Sequence, residues 1–412
     1  MESNQLINAG DTAWVLISAA LVMLMTPGLA FFYGGMVRRK NVLGILMQCF
    51  ACLAVISLIW VVYGYSLAFS KGNGLIGGLD WIFLKGVGIE PNSDYAATIP
   101  HGAFVIFQMM FAIITPAVLL GAFAERVKFS AFILFIIVWT TLVYIPICHM
   151  TWAVGGFFKD MGVLDFAGGA VVEINSGVAG LVAAIYLGRR VGVTQPSLHN
   201  IPFVILGGAI LWFGWFGFNA GSALACNHVA VNAFLTTNTA AAAAGVGWAA
   251  LEWKLTGKAT MFGTITGAVA GLVAITPAAG FVDVSASIII GLVVSVLSYF
   301  AVGFIKPKFG YDDSLDVFGV HGVGGLWGMI ATGLFAQKAI NSAGADGLLY
   351  GNPVQLMVQL KVAVFTVIYC AVATWISCVI ADKLLGFRVS QEEEVMGLDL
   401  TQHHERAYTI ID

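Results

Sequence analysis

Phe129-Ser-Ala-Phe-Ile-Leu-Phe-Ile-Ile-Val-Trp-Thr-Thr-Leu-Val-Tyr-Ile-Pro-Ile-Cys148 runs for twenty residues without a charge. About 20 such residues cross the hydrocarbon core of a bilayer as a helix, whose backbone groups bond to one another where no water can. The run does not alternate in polarity, so it is not a strand of a transmembrane barrel. Further along, Val191 to Leu251 contains no Asp, Glu, Lys or Arg at all. One helix of that length would overshoot any bilayer, so the polar Cys226-Asn227-His228 divides it in two.

Reading outward between charges gives spans near 12–36, 41–69, 98–122, 129–148, 166–188, 199–221, 227–251, 259–277, 284–304, 317–336 and 354–381. That makes eleven. Only 19 Lys+Arg and 22 Asp+Glu are spread over 412 residues, 10% of the chain against about 25% in soluble proteins. With 59% hydrophobic residues and a mean hydropathy of +0.91, no water-facing surface can be built. A cytosolic enzyme, a secreted disulfide scaffold and a disordered chain are excluded. The net charge of −3 lacks the basic footprint of a nucleic-acid binder.

Counted on alternating sides, fourteen Lys and Arg fall on one face and five on the other, which places the N-terminus outside and the C-terminus in the cytoplasm. The first eleven residues carry Glu2 and Asp11 and no basic residue, unlike a cleaved signal peptide. Cys49, Cys52, Cys370 and Cys378 lie inside spans as buried thiols. Cys148 and Cys226 sit near the outer face, which leaves a disulfide between them open.

The 49 glycines recur at helical spacing and let helices approach closely. Glu173 is followed by Gly177 and Gly180, and His321 by Gly325 and Gly328, at the same offsets; Thr115-Pro116 and Thr276-Pro277 echo each other. Five spans per half then give an inverted repeat with the site at its interface, and the last span stands outside it.

Intramembrane charges cost about 2.5 to 3.5 kcal/mol even on the lenient insertion scale. Asp165 and Asp316 precede spans five and ten and read as caps of helix starts. His101 and His149 lie at span ends and read as solvated or interfacial. Glu173 and His321 have long apolar flanks, so they either lock together or line a polar path. Phe107, Phe111, Trp152, Trp215, Phe216 and Phe218 cluster in the outer half, where π faces attract a small cation. Ser222 adds a hydroxyl acceptor.

Pro27-Gly-Leu-Ala-Phe-Phe-Tyr-Gly-Gly35, Gly121-Ala-Phe-Ala-Glu-Arg126, Asp165-Phe-Ala-Gly-Gly169, Gly214-Trp-Phe-Gly-Phe-Asn-Ala-Gly-Ser222, Asp316-Val-Phe-Gly-Val-His-Gly322 and Gly397-Leu-Asp-Leu400 occur in an order that resembles the ammonium transporter family, the Amt/Mep/Rh proteins. The likeness runs nearly end to end. It implies an all-α polytopic membrane protein of eleven transmembrane helices, a 5+5 inverted repeat plus one extra helix. The expected domain is 1–386, with halves at about 12–190 and 199–340, the extra helix at about 352–386 and a cytoplasmic tail at 387–412. By resemblance Trp152, Phe107, Phe111 and Ser222 form an outer ammonium site supported by Asp165. Phe111 and Phe218 form a stacked gate, and Trp215 lines the pore below it. His321 matches the second of two pore histidines. Glu173 stands where the first would be, as in some fungal Mep proteins, so a paired-imidazole relay does not carry over unchanged.

The resemblance further implies a homotrimer in the plasma (inner) membrane and a tail that meets PII-class regulators; beyond it, we expect the proton of ammonium to travel by Glu173 and His321 while ammonia diffuses separately, which makes uptake net electrogenic. No metal or cofactor is called for. Alternatives are an ammonium sensor with little flux and an Rh-like neutral ammonia channel. The chain carries none of the motifs of an intramembrane hydrolase, and the phenyl gate is inconsistent with a water channel.

Overall fold

In the computed structural model, residues 7–192 and 198–408 are described. Glu2 lies outside them. They form α1 (Ala9–Met36), α2 (Arg39–Phe69), α3 (His101–Phe123), α4 (Phe129–Asp160), α5 (Gly169–Leu187), α6 (Ile201–Gly221), α7 (His228–Thr256), α8 (Met261–Ile275), α9 (Val284–Phe309), α10 (Phe318–Phe335) and α11 (Pro353–Leu385). Ten of these are long and apolar enough to cross a membrane; α8 is apolar but has only 15 residues. Among the described residues there are only isolated β-bridges and no strand.

α8 is short because Pro277 offers no N–H to continue it. The matching Pro116 stays inside α3, so the two Thr-Pro pairs do not play the same part. The helix starts are capped as their sequences dictate, by Asn8, Asn200, Asn227, Thr260 and Asp283.

Glycine sets the packing distances. A Cβ on Gly207 of α6 would lie 2.2 Å from the Phe32 nitrogen of α1, and one on Gly35 would lie 2.4 Å from the Asn200 carbonyl. At the crossing of α5 and α10, a Cβ on Gly177 would lie 2.1 Å from the Gly322 nitrogen. Here the backbones themselves touch, as small-residue faces permit. α3 is enclosed by its neighbours, whereas α9 and α11 present Ile288, Leu292, Phe304, Val364, Ile368 and Val372 outward. An outer surface this apolar belongs in lipid.

α5 and α10 also share a local architecture. Each begins in a π-helical turn, Gly169–Ile174 and Phe318–Gly322, and each is entered through a residue with positive φ, Gly168 at 115° and Asp316 at 62°. These residues, like Glu173 and His321, stand 148 positions apart. The offset pairs Asp165 with Asp313, not with Asp316. Asp313 accepts from the Val317 and Phe318 nitrogens at 3.0 and 2.8 Å. Asp316 therefore does not cap α10 as the sequence suggested: its backbone turns left-handed and its carboxylate bonds Lys306 at 2.5 Å.

His101 and His149 are buried, not solvated or interfacial. His101 bonds the Tyr65 hydroxyl at 2.5 Å, and His149 faces the carbonyls of Ala68 and Asn73 at 2.9 and 2.8 Å. All six cysteines are free, with Cys148 buried and Cys226 exposed, so they form no disulfide.

At the other end of the bundle the chain's tail is fastened. The Glu125 carboxylate accepts from the Arg38 nitrogen and side chain and from Arg190, which also pairs with Asp312 at 2.8 Å. Short helices α12 (Gln391–Met396) and α13 (Leu398–His403) lie over this network. The Leu398 nitrogen donates to Asn41, the Gly44 nitrogen to Asp399, and Arg388 to the Leu187 and Arg189 carbonyls.

Candidate functional site

A cavity of about 440 Å³ opens at the end of α3 that begins with His101, and Trp152, Gln108, Ser222 and Asp165 are among its walls. Trp152 is fixed by its Nε1, which donates to the Asp165 carbonyl at 2.9 Å. The Asp165 carboxylate is saturated by backbone: Oδ1 accepts from Gly168 and Gly169, and Oδ2 from Ala170 and Val171. It thus shapes the entry to α5 and presents its own carbonyl to Trp152. Ser222 donates its proton to the Phe218 carbonyl at 2.8 Å, so the hydroxyl oxygen keeps its lone pairs for a donor in the cavity.

Trp152 joins the cavity to an aromatic cluster. Phe111 lies edge-on to Trp152 at 5.8 Å and over Phe218 at a centroid distance of 4.3 Å, tilted by 31°. Both phenyl rings are buried. Phe107 packs behind Phe111 at 5.0 Å and beside Gly221, and like Phe111 and Phe218 it is buried and not part of the cavity wall. Phe216 leaves the cluster altogether, because it stacks on Phe234 at 4.0 Å with ring planes 3° apart.

Below the rings lies a second, narrow cavity walled by Leu29, Ile114, Val118, Leu211 and Trp215, with Glu173 and His321 at its far end. Trp215 is held by Nε1 donating to the Thr276 hydroxyl at 2.9 Å. That hydroxyl donates in turn to the Leu272 carbonyl, so the break in α8 orients a pore ring. Glu173 Oε2 and His321 Nδ1 are 2.7 Å apart, both buried. With the carboxylate ionised, Nδ1 carries the proton and donates, which leaves Nε2 as the ring atom open to the pore. His321 also walls a third cavity, toward the tail, with Tyr33, Phe262, Leu315 and Asp316.

Shared and adjoining residues link the three cavities in order: an outer vestibule, two stacked phenyl rings, an apolar pocket, the Glu173–His321 pair and an inner mouth. Trp152, Phe111, Ser222, Phe218, Trp215, Glu173 and His321 stand in this series, with Asp165 in the vestibule wall and Phe107 behind Phe111. Sequence reasoning missed Thr276, Asp313 and Gln108. The constant offset from Asp165 was the available signal for Asp313. For Thr276 the Thr-Pro echo was visible but not its bond to Trp215. Gln108 gave none.

The Ammonium Transporter Family model matches residues 13–408. The chain is 54% identical over 399 residues to an ammonium transporter of Bacillus subtilis (strain 168), covering 97% of this chain and 98% of that one. The crystal structure of Candida albicans Mep2 superposes with a TM-score of 0.90 at 35% identity, covering 99% of this chain and 92% of that one. A structure described as "Sensor Amt Protein" gives 0.88 at 30% identity, covering 98% and 100%.

Proposed function

Because the chain belongs to the ammonium transporter family, whose members are transporters and not enzymes, we propose that this multi-pass membrane protein itself carries ammonium across the plasma (inner) membrane. The observation that carries the reading is the order along the pore: a cation site, then rings that close the shaft, then a buried acid–base pair.

Ammonium enters the vestibule and is held by the π faces of Trp152 and Phe111 and by the Ser222 oxygen. A cation–π contact gives about 0.5–2 kcal/mol, more as water is removed. Asp165 holds the Trp152 indole in place without touching the cation. Stacked Phe111 and Phe218 offer no oxygen to replace a hydration shell, so K⁺ and Na⁺ stop there. Ammonium differs because it can leave its proton and pass as ammonia through the shaft beside Trp215. The proton travels by Glu173 and His321, since taking it up neutralises the buried carboxylate. Uptake is then electrogenic.

In this reading all eleven helices cross, α8 included, with the N-terminus outside and the tail in the cytoplasm, as the basic residues favour. Residues 12–190 and 199–340 are inverted halves, α11 stands outside them, and residues 387–412 form the regulatory tail. The outward apolar faces suit a homotrimer in lipid, and the docked tail suits a PII-class partner on the cytoplasmic side. The likeness to "Sensor Amt Protein" supports a second reading, an ammonium sensor with little flux.

Current recorded from the purified protein in liposomes, with pulses of ammonium, methylammonium and potassium, tests the proposal. Current with ammonium and none with potassium is expected. Ammonium binding without current or ammonia flux favours the sensor, and ammonia flux without current favours a neutral channel.

A further inference from the structure

Asp316 is unexplained by the helix start it precedes. Capping of α10 is complete with Asp313, and the position equivalent to Asp316 in α5 is a glycine, Gly168, where positive φ has no steric cost. A side chain with a Cβ is carried here in a left-handed backbone, and Asp316 and His321 both wall the inner mouth. Nothing else on that wall takes up a proton readily. Tyr33 gives its hydroxyl to the Val118 carbonyl, Thr266 gives its own to Phe262, and the remaining lining is apolar.

We propose that Asp316 is the inner proton station of the pore, the group that receives the proton from His321 and hands it to ammonia at the cytoplasmic mouth. The proposal rests on the proton path through Glu173 and His321 given above. The step balances. His321 Nε2 takes the pore proton as its Nδ1–H passes to the Glu173 carboxylate; Nδ1–H is then restored as the Nε2–H bond breaks and an O–H bond forms on Asp316, directly or through one water that gives one proton as it accepts another. Asp316 then returns the proton to the lone pair of ammonia, which leaves as ammonium from beside the restored carboxylate. Lys306, 2.5 Å away, pairs with the carboxylate and on its own favours the ionised form. Burial works the other way and raises the Asp316 carboxyl above the usual range. The other charged or titratable groups around it are Arg190, Asp312, Asp313 and Tyr311 on the cytoplasmic side, with Glu173 beyond His321.

Asp316→Gly separates this role from a structural one. Glycine relieves the left-handed backbone but loses the ion pair with Lys306, and Lys306→Met loses the same pair, so a purely structural Asp316 would make these two variants alike in current. We expect Asp316→Gly and Asp316→Asn, folded and assembled as the wild type by size exclusion and thermal unfolding, to lose ammonium current by about tenfold or more. The dependence of the residual current on internal pH should also change. Lys306→Met should retain current but shift that pH profile. Wild-type current and pH profile in Asp316→Gly overturn the proposal alone. Absence of ammonium current in the wild type overturns the proton path itself, and the proposal with it.

Discussion

Gly177→Ala places one methyl at the crossing of α5 and α10. The added Cβ would lie 2.1 Å from the Gly322 nitrogen and 2.3 Å from its Cα, where ordinary contact begins at 3.4 Å. Neither partner is the end of a flexible side chain, so the two backbones must part by a little over 1 Å. Glu173 lies one turn before Gly177 and moves with α5, while His321 adjoins Gly322 and moves with α10. Their 2.7 Å bond then opens toward 4 Å, beyond the reach of a hydrogen bond. Overpacking costs about 1–3 kcal/mol, and a lost bond to a charged group about 1.5–3. A loss of about 3 kcal/mol in thermal unfolding, with most of the ammonium current gone, is the expected result. Gly303→Ala is the control, because its Cβ would meet nothing within 4 Å. Wild-type stability and current in Gly177→Ala would refute the idea that this backbone contact sets the buried pair.

Glu173→Gln keeps the shape of the pair but cannot ionise, and current should drop by about tenfold or more while ammonium still competes for the outer site; unchanged current at every pH would end the relay role. Phe111→Ala combined with Phe218→Ala opens the stacked rings, and a potassium current absent from the wild type should appear in liposomes. Asp313→Ala should cost about 1–2 kcal/mol by removing the α10 cap, measured by thermal unfolding. Asp312 is pushed up by burial, but Arg190, with Arg126 behind it, outweighs that and holds the carboxyl at about 2. Its stabilising effect is therefore full above the usual carboxylate pKa near 4 and is lost as pH falls through about 2. Discounted for its partial exposure, this amounts to about 1–2 kcal/mol, so Asp312→Asn should lower stability at neutral pH and flatten the acid limb of the unfolding profile.

The positions of the helices were legible because charges in a bilayer protein can stand in few places, so each one marks an edge. The break in α8 was less so, since Pro116 and Pro277 look alike in sequence and differ only in what packs on them. Depth singled out Glu173 and His321, but their bond needs the α5–α10 crossing to bring together residues 148 apart. Asp316 was misread because proximity to the helix start suggested a cap, whereas φ of 62° turns its side chain away. The π-helical turns left no readable trace, because an inserted residue changes hydrogen bonding without changing composition. His101 and His149 were placed at an interface that the folded segment between α2 and α3 in fact covers.

The sealed rings and the separate Glu173–His321 route together bear on accumulation. On the proposed path ammonia passes by the shaft and its proton by the pair, one for one, so every ammonium taken up moves one charge. A potential of about 100 mV, inside negative, is worth about 2.3 kcal/mol per charge. Since about 1.4 kcal/mol is a tenfold ratio, the membrane potential alone would hold ammonium about fifty times more concentrated inside than out, with no second ion to drive it.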